Sequence, residues 1–570
     1  MNLLAWRKVY SFGRIEAMVL ALYAAVLAFA IPFHEPWADE AEAWVLARDS
    51  SFWQIFRYRL HYEGAPPVWH FLLRTLYLAH VPWVAVGWCC GAIAVAGVAV
   101  WLRWSPFPLL VRALLPFSFF VLYQYGVVIR NYVLFPLLLF SLCALYCARP
   151  RRLLWFAAVA GLLANLCVQG AIVSGIFTLL YACEIYRAHI PKQRLALPLL
   201  LLAAAWIVCI YSVIPAPDEG VVVRNQVSTG AVHRLLVKYI GESPRSAAVR
   251  PIDSTLTPTS AAQPIVSFKG DPRQWIAAKL QEPAKSSALD LTPTSTMAPA
   301  KAAAVTFLEL ISELLWPIAG SSLLACVFLV LLLLWARTHG GLLYFIPAVV
   351  VWLVGEFLWT TDHHAGMLLL TLIAGIWITA QRCELAGAVS RETIVWRQAT
   401  WIEASFVPLL SLVLTLQIIW SISAIAKDHR RNYDPGQQTA RFLMQQSGNK
   451  RIAAFHYWSV ATQPYFAQNP FFNLPTSYWT WSTNVFPDAL HTQTLDTHPD
   501  MVVYTQEQPL PGEMRNQIIP LNAASRSIDP ILTDIKQHGY HLTHQFCGDR
   551  FSRLSASFQV CDSIFEPGTK

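Results

Sequence analysis

The chain is poor in charge and lacks the usual signatures of a metal centre. Charged residues make up 13% of its 570 residues against 55% hydrophobic, with a mean hydropathy of +0.43. That balance excludes an ordinary soluble core. No CxxC pair and no His/Cys cluster occurs, which argues against thiolate metal sites and haem attachment. The formal charge is +8, yet no basic tract accompanies a recognition motif, so nucleic acid is not an expected partner. No internal repeat is evident, unlike the repeat-built transporter folds. Nine of the 11 cysteines fall in or beside apolar runs, where lone thiols behave as small hydrophobes. Only Cys547 and Cys561 lie in the tail, where pairing is expected if the compartment is oxidising.

What the chain has is long apolar runs. They lie near Ile15–Phe33, Val81–Trp101, Ala113–Ile129, Tyr132–Cys147, Leu153–Val168, Ala171–Tyr186, Leu195–Ile214, Trp316–Trp335, Leu342–Leu358, Gly366–Ala380 and Ile402–Ala426. The first follows Arg7, Lys8 and Arg14 and reads as an uncleaved span, although Ala28-Phe29-Ala30 resembles a signal-peptide cleavage site. Trp at 23 and Tyr at 20 suit aromatic belts at two interfaces. Val68–Ala79 contains His70 and Arg74 and is too short and polar for a span. If it stays out, Arg103/Arg112, Arg149 to Arg152, Arg187 to Arg194, Arg337, and Arg382 to Arg397 all fall on the cytoplasmic side, as the positive-inside rule requires. The expected fold is therefore a mainly α polytopic membrane protein with about eleven transmembrane helices, N-terminus cytoplasmic and C-terminus outside.

Two divisions follow. Residues 1–429 form a membrane module with an outer loop at 34–80, where Asp49 to Leu60 reads as an interfacial amphipathic helix. A second outer loop at 215–304 is rich in Pro, Ser, Thr and Ala and is expected to be mobile, either a lid or a spacer. Residues 430–570 lose the apolar runs and read as a small soluble α/β domain. Its expected strands are Arg451–Phe455, Met501–Tyr504 and Ser555–Val560, and its expected helices are Thr439–Gln446 and Ile531–His538.

The stretch from His34 to Trp44 places Glu35, Asp39, Glu40 and Glu42 just past the first apolar run. Carboxylates are costly in hydrocarbon, so acids gathered there suggest a site at the membrane face. Helix capping offers a structural alternative, with Asp39 as N-cap and Glu42 as its N3 partner, but it leaves Glu35 and Glu40 unexplained. Under the topology above, Asp39/Glu40, Arg130/Tyr132 and Asp362-His363-His364 all reach the outer face. Arg130 stands there against the positive-inside trend. It is either a functional cation or a headgroup anchor.

Two segments carry a family resemblance: Trp37-Ala38-Asp39-Glu40-Ala41-Glu42-Ala43-Trp44 and Tyr62-Glu63-Gly64-Ala65-Pro66-Pro67-Val68-Trp69. Together they resemble the first outer loop of the GT-C superfamily of glycosyltransferases, closest to the bacterial relatives of protein mannosyltransferases and aminoarabinose lipid A transferases. Arg130-Asn131-Tyr132 resembles that group's Arg-x-Tyr, and Asp362-His363-His364-Ala365-Gly366 is similar to an Arg-His-His-Gly element. The resemblance covers roughly residues 1–150 well and the second half mainly by architecture. Ala65 stands where many relatives have His, and Asp362 where some have Arg.

The resemblance implies a GT-C-type helical bundle in a bacterial inner membrane, with the C-terminal domain periplasmic or extracellular. It implies transfer of a sugar from a polyprenyl-phosphate donor to a lipid, glycan or protein acceptor. Asp39 is then the general base and Glu40 orients base or acceptor. Arg130, Tyr132, His363 and His364 face the donor phosphate. From the residues themselves, Glu63 either shapes the cavity or serves the Gly64–Pro67 turn, and Trp37 and Trp44 either line the cavity, where one could stack on a sugar, or belong to the interfacial aromatic belt. No tightly bound metal or cofactor is expected, although oxygen ligands at this spacing suit a divalent cation. No motif fixes the sugar or the acceptor. The other readings are a lipid-linked glycan carrier or flippase and a non-catalytic envelope assembly protein. Charges gathered at one face favour the enzyme.

Overall fold

The computed structural model describes residues 13–148, 152–187, 191–216, 315, 317–357, 362–386, 401–446, 448, 450–474, 490–509, 529–550 and 558–568. Of the expected mobile loop at 215–304, only residues 215 and 216 are among them.

Among the described residues, five helices are long and apolar enough to cross a membrane: Arg14–Phe33, Trp83–Trp104, Val168–Arg187, His363–Gln381 and Ala404–Arg430. Five shorter apolar helices accompany them, at Asn131–Cys147, Leu153–Ala164, Ala196–Ser212, Ser322–Thr338 and Leu342–Gly355. Their outward sides carry exposed Met18, Trp155, Leu179, Ile207, Leu323 and Ile422, an apolar exterior that suits lipid rather than water. This is the build of a helical membrane protein. The His363–Gln381 helix is its axis, 89% buried over its apolar window.

Eleven continuous spans are not confirmed among the described residues. At 12 residues, Leu153–Ala164 rises about 18 Å against a hydrocarbon thickness of roughly 30 Å. The run at Ala113–Ile129 is not a single helix. Leu109–Leu114 gives way to a tight turn at Leu115–Phe117 containing Pro116, then to a π-helical turn over Phe119–Gln124. Pro116 has no amide hydrogen to continue the ladder, and extended Ser118 restarts it, accepting from Val121 N–H at 3.5 Å. The run is apolar because Phe119, Phe120, Val121, Leu122 and Tyr123 are all buried between helices.

Within the 34–80 loop, the helix Ala38–Asp49 ends at extended Ser50. A new start at Ser51, whose hydroxyl caps Gln54 N–H at 3.2 Å, leads through a π-turn at Ile55–Arg59 to Glu63. The amphipathic helix expected at Asp49–Leu60 is thus displaced and widened by one π-turn. It keeps its two faces, with Ile55 buried and Trp53 and Tyr58 exposed. Val68–Leu78 is a helix of 11 residues, too short to span.

The C-terminal region holds a four-stranded sheet in the order β1-β2-β4-β3, with β1 Ile452–Phe455, β2 Met501–Pro509, β3 Tyr540–Arg550 and β4 Phe558–Pro567. β1 and β2 run parallel, and β4 pairs antiparallel with both β2 and β3. Side chains alternate across the sheet as strand geometry demands. Met501 and Val503 face Leu443 of the Gly436–Gln446 helix, while Val502 and Tyr504 face Ile531 and Ile535 of the Pro530–Gln537 helix. Cys547 and Cys561 face each other across β3 and β4 and form a disulfide. One expected strand shifts in extent, β2 running on to Pro509; of the strand expected at Ser555–Val560, Phe558–Val560 lie in β4 and 555–557 lie outside the described residues.

Candidate functional site

The Ala38–Asp49 helix is capped two residues earlier than the sequence suggests. Trp37 is the N-cap, and Glu40 is the residue whose carboxylate folds back, accepting from Trp37 N–H at 3.2 Å. Glu40 is fully buried and also accepts from Ile129 N–H, while His34 Nε2 lies 3.1 Å from it. His34 Nδ1 reaches Asp428 Oδ2 at 3.0 Å, and Tyr123 donates to that same oxygen at 2.9 Å. Glu40 therefore does the capping that Asp39 and Glu42 were expected to share. It also ties the first loop to the 123–130 segment. Asp39 and Glu42 are left available for other partners.

Asp39 uses that availability. Its Oδ2 lies 2.8 Å from Arg130 Nη1, and both side chains remain about a fifth exposed, at 23% and 21%. Burial weakens the guanidinium charge, but Asp39 outweighs it and holds the Arg130 pKa above its ordinary value. The Arg130 guanidinium also lies over the Tyr132 ring, 5.5 Å from its centroid, and 5.9 Å from that of Trp37. Asn131, between them, donates from Nδ2 to Leu166 O at 3.1 Å and pins the segment to the next helical layer.

Tyr132 carries the cluster to the distant histidines. Its ring stacks on His363 at 4.3 Å and meets His364 edge-on at 6.4 Å. Gly366 makes this approach possible: a Cβ there would lie 2.5 Å from the Tyr125 hydroxyl and 2.6 Å from the Phe120 ring. With hydrogen instead, the helix comes close enough for Tyr125 to donate to His363 O. Asp39, Arg130, Tyr132, His363 and His364 thus form one contiguous assembly from three separated stretches.

The residues expected to shape a cavity divide. Trp37 lies between Arg130 and Arg550, 5.0 Å from the latter's guanidinium, and its ring meets Trp458 at 5.9 Å. Trp44 is 3% exposed and packs on Trp83 and Tyr77 inside the helical core. Glu63 has a buried, unpartnered Oε1, and burial followed by the opposing charges of Arg130 and Asp39 leaves its pKa pushed up to about 7. His70, on the Val68–Leu78 helix, is buried with Nδ1 unpartnered. Burial and Arg130 push its pKa down to about 4, so it is neutral at pH 7. Glu35 is drawn instead to the C-terminal region, accepting from Asp434 N–H at 3.3 Å.

Sequence reasoning missed Tyr457. It directly follows β1 and the left-handed His456, opens a short helical segment at Tyr457–Tyr465, and puts its hydroxyl 3.0 Å from Asp39 Oδ1 and 2.8 Å from Glu42 Oε2. At the other end of that segment, Arg48 Nη1 donates to Gln463 O at 3.0 Å and Phe466 O at 2.8 Å. The C-terminal region is docked along the Ala38–Asp49 helix at both ends. Beside this seam, Arg550 is 3% exposed, pairs with buried Asp434, and lies against Trp458 at 4.1 Å and Phe558 at 5.8 Å. No local sequence signal marks Tyr457, since only docking brings it to the acids.

No protein-family model matches the chain, and no curated protein matches it either. Chemistry alone must then be weighed. A carboxylate about a fifth exposed and fixed beside a guanidinium is suited to accepting a proton next to an anionic group. Among the described residues no group of three or more His, Cys, Asp or Glu is placed to hold a metal ion.

Proposed function

We propose that this protein is a GT-C-type membrane glycosyltransferase that moves a sugar from a polyprenyl-phosphate carrier to an acceptor at the outer face of the membrane. The observation that carries the reading is the 2.8 Å contact between Asp39 and Arg130, residues 91 positions apart that the resemblance independently assigns to base and phosphate. Burying each isoprenoid methylene is worth about 0.8 kcal/mol, so such a donor stays in the bilayer and the enzyme must meet it at the edge. In the reaction, the acceptor hydroxyl gives its proton to Asp39 as its oxygen bonds to the anomeric carbon. The bond from that carbon to phosphate breaks with its electron pair, leaving polyprenyl phosphate. Arg130 meets the charge that grows on the departing oxygen. Tyr132 and the two histidines extend the wall toward the phosphate, and Glu40 fixes the loop that bears Asp39. The positive-inside pattern supports a cytoplasmic N-terminus and an external C-terminal region, in a bacterial inner membrane.

The test uses purified full-length protein with a panel of polyprenyl-phosphate sugars and an envelope extract as acceptor source. Release of polyprenyl phosphate and the mass of the product are followed by mass spectrometry. Asp39→Asn is expected to abolish release, by about 10²-fold or more, while retaining donor binding. Full turnover by Asp39→Asn would refute the base assignment. Donor binding by wild type with no release under any acceptor would replace the enzyme by the lipid-linked glycan carrier.

A further inference from the structure

Tyr457 has one phenolic hydrogen and two carboxylate neighbours, Asp39 Oδ1 at 3.0 Å and Glu42 Oε2 at 2.8 Å. A phenol donates only once. With both acids ionised, one of these two approaches is oxygen against oxygen with no hydrogen between. One added proton turns both into hydrogen bonds, from Asp39 to the phenol oxygen and from the phenol to Glu42. The trio is built to be completed by a proton arriving on Asp39. Burial and the two carboxylates hold the phenol above its ordinary range, so it keeps its own hydrogen throughout.

We propose that Tyr457 is a positioning residue of the active site, supplied by the C-terminal region, that orients the Asp39 carboxylate and, with Glu42, stabilises the proton Asp39 takes from the acceptor. This inference rests on the glycosyltransferase reading. Arg130 holds one Asp39 oxygen and Tyr457 the other, which fixes the rotation of the carboxylate plane. As the acceptor O–H bond breaks, its proton lands on Asp39, and the two phenol–carboxylate contacts, which share one hydrogen beforehand, each gain a hydrogen of their own. That gain is made only as the proton transfers, so it lowers the barrier rather than tightening substrate binding. The consequence is structural too: the membrane helices alone do not make the complete site.

Wild type, Tyr457→Phe and Glu42→Gln are compared as full-length proteins, in the same release assay with a polyprenyl-phosphate sugar and envelope extract, in H₂O and D₂O. Tyr457→Phe removes one oxygen and leaves the ring to pack on Trp458, 5.3 Å away. It is expected to lower kcat by about 10- to 100-fold, with donor KM unchanged and a larger solvent isotope effect, because proton transfer becomes limiting. Glu42→Gln supplies the missing hydrogen from its amide and is expected to lower kcat in the same way. A merely structural role would change thermal stability and KM and leave the isotope effect alone, which would overturn the proposal. So would wild-type kcat in Tyr457→Phe. If wild type itself releases no polyprenyl phosphate, the glycosyltransferase reading fails and this inference falls with it; an active wild type matched by Tyr457→Phe sinks the inference only.

Discussion

His34 stands between Glu40 and Asp428, with Nε2 at 3.1 Å from one and Nδ1 at 3.0 Å from the other. All three are buried. One cationic ring therefore balances two carboxylates from opposite ends of the helical module. Burial pushes the His34 pKa down, but the two acids outweigh it and hold the group up at about 10. A histidine raised in the folded state contributes stability that is complete below about 6.5, its unfolded value, and is lost as pH rises through about 10. Replacing it by Asn leaves two buried carboxylates without a cation, which costs about 3–5 kcal/mol. Thermal unfolding should show the largest deficit of His34→Asn near pH 6 and a gap that closes toward pH 10. A deficit independent of pH would mean the ring acts by packing alone.

Arg130 is held through its planar fork, with Asp39 on one nitrogen and the Tyr132 ring beneath the guanidinium. Lysine keeps the charge but cannot fill that geometry. Under the proposed function, Arg130→Ala should lower kcat/KM for the lipid donor by about 10²- to 10³-fold. Arg130→Lys should fall between that and wild type. Donor titrations of polyprenyl phosphate release measure both. Equal activity of Arg130→Ala and wild type would make this residue a headgroup anchor.

What could be read from the residues and what could not have physical causes. Acids beside an apolar run are expensive, so Asp39, Glu40 and Glu42 announced themselves, as did Arg130 by its place at the edge of an apolar run. The cap did not. Asp39 has the better capping chemistry, but tertiary bonds from Ile129 N–H and His34 draw Glu40 inward and put the helix start at Trp37. The Ala113–Ile129 run could not be parsed because a segment buried on every side shows no periodicity. β3 was invisible for the opposite reason: Tyr540–Arg550 is mostly polar and exposed at a sheet edge. Tyr457 lies about 415 residues from its carboxylate partners, and only the docked C-terminal region brings them together.

Glu63 lies beside the Arg130–Asp39 pair with one buried oxygen unpartnered, its pKa pushed up to about 7 chiefly by burial. An acid raised in the folded state contributes stability that is full below about 4.5, its unfolded value, and is lost as pH rises through 7. Glu63→Gln removes that titration. Relative to the variant, wild type should lose on the order of 1 kcal/mol between pH 5 and pH 8. Thermal unfolding of both proteins at those two pH values decides it. Parallel pH profiles would mean that Glu63 is solvated and ionised in the folded protein.

Arg550 anchors the C-terminal region to the loop that carries the acids. It is buried, pairs with buried Asp434, and lies among Trp37, Trp458 and Phe558. Removing the cation strands the Asp434 carboxylate inside the seam, a change worth about 3–5 kcal/mol of destabilisation. Arg550→Ala should therefore loosen the seam, and with it the approach of Tyr457 to Asp39. Protease nicking near residue 431 should accelerate while the helical module stays intact, since Asp434 lies just past the long helix ending at Arg430. Replacing both members of the pair, Arg550→Met with Asp434→Leu, leaves no buried charge and should recover much of the lost stability. Equal losses in the single and double variants would place the stabilisation in the aromatic contacts of Arg550 instead of in its ion pair.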